Sequence, residues 1–149
     1  MPSITPSYLY TFIALIVVSS LLVFSFMNYT EALRVSSEVK QLRSLMDYVA
    51  AKSTELLTLT LVTNATIKVY LQMPTAIGNK QYWIQLNNDS ASAWVEGGFG
   101  NTPVKETDLK IQLPKEAAAT GYYIGGYGAA CLMCYSDVGV SRIQLNSSG

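Results

Sequence analysis

Only one pair of residues in this chain has a spacing that reads as reactive, Cys131-Leu132-Met133-Cys134. In a cytosolic βαβ setting such a pair would be a thioredoxin-like redox site, which opens a helix. Here the surrounding stretch is rich in Gly and Tyr and reads as strand. In a regular strand, residues three apart point to opposite faces with Cα atoms about 10 Å apart, beyond the ~7 Å limit for a disulfide. A bridge between Cys131 and Cys134 therefore requires a turn or bulge; without one the pair is two buried free thiols. Zinc would need further Cys or His, and the chain has two Cys and no His. The absence of His also removes the commonest general base and the usual pH switch.

The remaining motifs carry less chemistry. Gly121 to Gly128, GYYIGGYG, has the glycines of a phosphate-binding loop but lacks the Lys-Ser/Thr ending and the following helix whose N–H groups would hold a phosphate. It reads as a strand or turn with small residues for close packing. Asp89, Glu96, Glu106, Asp108, Glu116 and Asp137 are scattered, with no spacing that pairs an acid with a base. No catalytic, cofactor-binding or metal-binding set is expected, and the chain does not read as an enzyme. Its formal net charge of zero implies neither nucleic acid nor anionic lipid as a partner.

The elements around these residues are simpler to read. Tyr8 to Met27, YLYTFIALIVVSSLLVFSFM, is an uncharged apolar run, and no charged residue precedes Glu31. At ~1.5 Å per residue it is long enough for the ~30 Å hydrocarbon core of a bilayer. There is no Gly or Pro between Pro6 and Pro74, so the helix is expected to continue to about Leu59, its first half apolar and its second amphipathic. In the second half Val35, Val39, Leu42, Met46, Val49 and Leu56 form a narrow heptad stripe, suited to docking on the chain's own globular part.

Beyond residue 60 the period changes from helix to strand. Thr66 to Met73, Gln81 to Leu86 and Asp108 to Leu113 alternate polar and apolar residues. Shorter or Gly-rich strands are expected over 91–96, 122–135 (one long or two short) and 138–145, with Gly97 to Asn101 as a loop. All ten Gly lie at or beyond Gly78, so composition itself separates helix from sheet. The expected fold is α+β: a long N-terminal helix over 1–60, with 8–27 as its apolar segment, carrying over 61–149 an antiparallel β-sandwich or small barrel of about six or seven strands.

Charged residues make up 13% of the chain, against about 25% in soluble domains, and the deficit lies mostly in the first thirty residues. No Lys or Arg precedes the apolar run, unlike a secretory signal. The segment is expected to be an uncleaved anchor or the start of a chain whose basic leader has been removed. Arg34, Lys40 and Arg43 follow the span, so an intact anchor would leave the C-terminal part in the cytoplasm under the positive-inside rule; loss of a basic leader reverses that. Sequons at Asn28, Asn64, Asn88 and Asn146 favour export; Asn64, Asn88 and Asn146 are the candidate acceptors.

A short uncharged N-terminus, an apolar helix continuing as an amphipathic one and then a β-domain together resemble a mature archaeal type IV pilin. Residues 1 to about 60 carry the likeness, by pattern and not by motif. Thr5 stands where bacterial pilins usually place Glu. The resemblance implies an extracellular filament on the cell surface, reached through the cytoplasmic membrane. Its partners would be further copies of the chain in a helical homopolymer, the membrane before assembly, and the pilus assembly machinery. The half-helices would bundle into the filament core, with Tyr8, Phe12, Leu15, Ile16, Ser19, Leu22, Val23 and Phe26 as the assembly residues. Two other proteins share this layout: a membrane-anchored extracytoplasmic accessory protein of the archaellum stator kind, and a minor pilin serving as an adhesin through exposed Tyr and Trp.

Overall fold

The computed structural model describes residues 4–103, 109–113 and 117–148. A single helix, α1 (Ile4–Thr63), is followed by seven strands: β1 (Ile67–Leu71), β2 (Tyr82–Asn88), β3 (Ala93–Phe99), β4 (Lys110–Leu113), β5 (Ala117–Ile124), β6 (Ala129–Asp137) and β7 (Val140–Ser148). The α+β architecture is as expected. Its chain divides into two compact units, Met1–Ser37 and Glu38–Gly149, so the second half of α1 belongs with the strands.

The strands form one open sheet in the order β1-β6-β7-β5-β2-β3-β4, neither a sandwich nor a closed barrel. Every pairing is antiparallel except β5 with β7. Strand β5 joins the two halves of the sheet by changing partner along its length. Its residues Ala117 to Gly121 run parallel to Ser141 to Leu145, while Tyr122 to Ile124 pair with Gln85 to Trp83 of β2. Gly121 sits at the change, with φ of 96°, and a Cβ there would lie 2.1 Å from the Leu145 carbonyl oxygen. No side chain fits that approach, which is what the glycines of GYYIGGYG supply.

The apolar stripe of α1 packs on one face of this sheet. Leu42, Met46, Val49, Ala50, Leu56 and Leu57 are buried in one core with Leu71, Ile84, Leu86, Val95, Tyr123, Leu132, Ile143 and Leu145. The five larger of these helix side chains, at ~1.5–2 kcal/mol each, give roughly 8–10 kcal/mol before ordering entropy. Val39 is half-buried and Val35 is 42% exposed. The stripe therefore starts later than expected, because Val35 lies in the first unit and the sheet's cover begins at Glu38.

One local expectation is corrected. Gly97 and Gly98 belong to β3 and not to a loop: a Cβ on Gly97 would meet Met46 Sδ at 2.7 Å, and one on Gly98 the Trp83 ring at 2.7 Å. They are glycine because the helix and an indole press on either side of the strand. The turn after β2 is made by Asp89, whose Oδ1 accepts from the Ala91 and Ser92 N–H groups at 2.7 Å, while Asn87 and Asn88 stay in the strand. Those bonds hold the Asp89 carboxyl below its ordinary range. Asp108, placed in a strand from the sequence, falls outside the described residues, as do Glu106 and Glu116.

One charge sits on the buried face of the helix. The Glu38 side chain is 5% exposed and forms an ion pair with Lys80 Nζ at 2.9 Å. Lys80 lies on the tight turn whose ends, Ile77 and Lys80, exchange backbone hydrogen bonds, and a Cβ on Gly78 of that turn would lie 2.8 Å from Glu38 Oε1. Lys80→Met should lower the unfolding free energy by about 1–3 kcal/mol, since it strips a buried carboxylate of its cation. Denaturant titration of the full chain in detergent checks this; an unchanged midpoint would contradict it.

The β6–β7 hairpin turns on Val138 and Gly139, with φ of 50° and 81°, a primed turn that favours Asn-Gly. Val138 is β-branched and 97% exposed, so nothing compensates its left-handed backbone, which costs roughly 1–2 kcal/mol. Val138→Asn should stabilise the chain by about 1 kcal/mol in the same titration; a destabilised variant would contradict that reading.

Candidate functional site

The helical segment from Tyr8 to Met27 is the feature that packing leaves unexplained. Each of the assembly residues expected from the sequence, Tyr8, Phe12, Leu15, Ile16, Ser19, Leu22, Val23 and Phe26, is exposed. By their spacing they share one side of the helix. Leu9, Ile13, Val17, Leu21 and Phe24 on other sides are equally exposed, so the segment is apolar all round and polarity selects no single face. A helix of that kind is a core element or a membrane span, and this one is long and apolar enough to cross a membrane, with none of its most apolar stretch buried.

Three hydroxyl groups in and just after it are satisfied within the helix. Thr11 Oγ1 donates to Ser7 O at 3.0 Å, Ser20 Oγ to Ile16 O at 2.8 Å and Thr30 Oγ1 to Phe26 O at 2.8 Å. Polar groups in hydrocarbon or in a helix bundle need such internal partners. Ser19 and Ser20 also leave a shallow open notch bordered by Val23, Phe24 and Met27, where another helix could approach closely.

In the second unit the sheet's two outer strands are guarded. Strand β1 exposes Lys68 and Tyr70, with Lys68 Nζ 5.5 Å from the Tyr70 ring centre, and β4 exposes Lys110 and Gln112. Lysines on edge strands oppose further strand pairing. The candidate acceptors Asn64, Asn88 and Asn146 are all exposed. Asn64 holds φ of 54° just past the helix, where its N–H bonds to Thr60 O at 2.8 Å. Asn28 is helical, and the Thr30 hydroxyl of its sequon is tied to the backbone as described.

Aromatic residues divide between core and surface. Tyr70, Tyr122 and Tyr127 are exposed, whereas Tyr82, Trp83 and Tyr123 are buried, so Trp83 is not available to a surface ligand. Burial, with Tyr123 nearby, pushes the Tyr82 hydroxyl well above the ordinary phenol range; it donates to Pro74 O, and Tyr123 donates to Gly128 O at 2.9 Å. Among the described residues no group of three His, Cys, Asp or Glu is placed to hold a metal. The Glu38–Lys80 pair was missed in the sequence. Its signal was present: a Glu four positions before Leu42 on an otherwise apolar stripe.

Cys131 and Cys134 are both free and buried. They lie in regular strand β6, where Cys134 pairs with Ile67 and Ile143 on the helix side and Cys131 with Tyr70 and Asn146 on the other. No bulge brings them together, so the disulfide alternative is not formed. Burial pushes the Cys134 thiol up, against a smaller opposite effect of the Thr60 hydroxyl. Both thiols should therefore react with an aromatic disulfide reagent roughly tenfold or more slowly in the folded chain than after unfolding. A thiol that reacts at the unfolded rate in the native chain would contradict this placement.

Comparison with protein-family models, curated proteins and solved structures finds no match to this chain.

Proposed function

We propose that the chain is the structural subunit of an extracellular type IV pilus-like filament, polymerising through its apolar N-terminal helix. One observation carries this reading: Tyr8 to Met27 is exposed and apolar on every side, on the same helix whose second half is committed to the sheet. Covering some twenty apolar side chains at ~1.5 kcal/mol each is worth roughly 30 kcal/mol against water, so membrane and polymer are the segment's two stable surroundings. Before assembly it sits in the bilayer; afterwards it exchanges lipid for neighbouring copies. A head-to-tail contact that does not close into a ring yields a helical array. The lysine-guarded sheet edges support the same division, because they leave assembly to the helix. A membrane-anchored accessory protein or a minor adhesive pilin would use the same segment, and would differ by being sparse and not forming polymers alone.

Ile16→Asp and Leu22→Asp place a charge in mid-bilayer or mid-bundle, at a cost of at least ~2.5–3.5 kcal/mol. Both should abolish filaments, seen by negative-stain microscopy of cells, while the sheet unit still melts cooperatively. Normal filaments from both variants would sink the proposal.

Export predicts glycan on exposed sequons in a host that glycosylates them. Intact mass before and after deglycosylation should place sugar on Asn64 or Asn88, at the helix end and the β2 end, and none on helical Asn28. Sugar on Asn28 alone would contradict the orientation.

A further inference from the structure

The aromatic residues of the exposed helical segment are sorted by position. Tyr8 and Tyr10 stand at its start and Tyr29 just past its end, and they are 74%, 73% and 63% exposed. Between Tyr10 and Tyr29 there is no other Tyr and no Trp. The aromatic residues there are Phe12, Phe24 and Phe26, also exposed. Rings with a hydroxyl mark the two ends, and rings without one lie between. All six belong to the unit that ends at Ser37, so the core of the sheet does not account for their order.

The spacing has a physical counterpart. All six residues lie on one unbroken helix, α1. At ~1.5 Å per residue the rise from Tyr8 to Tyr29 is about 32 Å, and from Tyr10 about 29 Å. The hydrocarbon core of a bilayer is ~30 Å thick. A tyrosine ring at its boundary buries an apolar body while the hydroxyl reaches water and headgroups. Phenylalanine has no polar handle and loses nothing by lying deeper. Charge and polarity follow the same order: no charged residue lies between the tyrosines, whereas Asn28, Thr30, Glu31 and Arg34 gather around and after Tyr29. A staggered array of identical helices offers no such boundary, because copies shifted along the axis set the end of one helix beside the middle of another. Two polar-aromatic ends one hydrocarbon thickness apart fit a slab.

We propose that Tyr8, Tyr10 and Tyr29 anchor the chain in the two interfaces of a lipid bilayer, Tyr8 and Tyr10 in one and Tyr29 in the other. This rests on the reading of the segment as resident in a bilayer before assembly, and it adds the depth of each residue. The midpoint of the span falls beside Val18 and Ser19, and Glu31 and Arg34 stand among the headgroups. Ser20 then lies near the mid-plane, where a hydroxyl has most need of an internal partner; it has one in Ile16 O, at 2.8 Å.

Bromine on lipid acyl chains quenches a nearby tryptophan, so depth can be read position by position. The full-length chain is reconstituted in phosphatidylcholine vesicles brominated either near the headgroup end or near the methyl end of the chains. Tyr10→Trp, Val18→Trp and Tyr29→Trp are compared with the native chain, whose Trp83 and Trp94 lie in the sheet and give the background. All three substituted positions are exposed, so no core side chain is disturbed. Shallow bromine should quench Tyr10→Trp and Tyr29→Trp roughly twofold or more better than deep bromine does, and Val18→Trp should show the reverse. Strongest quenching of all three by shallow bromine, as for a helix lying along the surface, would overturn the proposal. So would a Tyr29→Trp signal that responds to neither lipid, or an end position quenched best by deep bromine. The vesicles hold no assembly machinery, so the result is separate from polymerisation. The expected depths in a chain that never forms filaments would keep the anchors and sink the filament subunit; filaments from a chain without these depths would do the opposite.

Discussion

The packing of Leu42 to Leu57 against one face of the sheet is the interaction on which the rest of this structure depends. An open sheet has an apolar face that must be covered, and an amphipathic helix has an apolar stripe that must be docked; each supplies what the other lacks. The dependence reaches single residues. Met46 presses where only Gly97 has room, and the Glu38 carboxylate on the buried face meets Lys80 beside a glycine-shaped turn. The stripe is consumed in this way, whereas the apolar side chains described between Tyr8 and Ser37 are all exposed. The functional reading follows from that imbalance.

The sheet is held together as one piece by β5. A strand that pairs parallel to β7 at its start and antiparallel to β2 at its end must part from one neighbour as it meets the next. Gly121 allows this because its missing Cβ lets the Leu145 carbonyl come close. The two halves of the sheet then share one core under one helix stripe, and the edges left over, β1 and β4, carry lysines that discourage further pairing. A sheet closed to strand addition and a helix segment open to apolar contact is a consistent division between folding and association.

Much of this was legible because it depends on short-range pattern. The apolar run and the absence of Gly or Pro up to Pro74 gave the helix; alternation gave most of the strands; and the three-residue spacing of Cys131 and Cys134 placed their thiols on opposite faces. What was not legible depends on contacts between distant residues. Gly97 and Gly98 look like a turn until Met46 and Trp83 are seen against them. The parallel β5–β7 pair joins segments whose order in the sheet no local pattern encodes. Val35 fits the heptad stripe perfectly well, yet where docking begins is set by where the sheet and the turn at Lys80 provide cover. Of the candidate assembly residues, the sequence located the segment but could not select a face, because every face of it is apolar.

The central claim is that the uncovered helix makes this chain a polymer subunit. The most direct measurement is electron microscopy of filaments sheared from cells that express it, with mass spectrometry of the purified filaments. The account predicts long filaments in which this chain is the main protein, with Tyr8 to Met27 in their interior. Recovery of the chain only as scattered copies in the membrane fraction, absent from any filament, would contradict it.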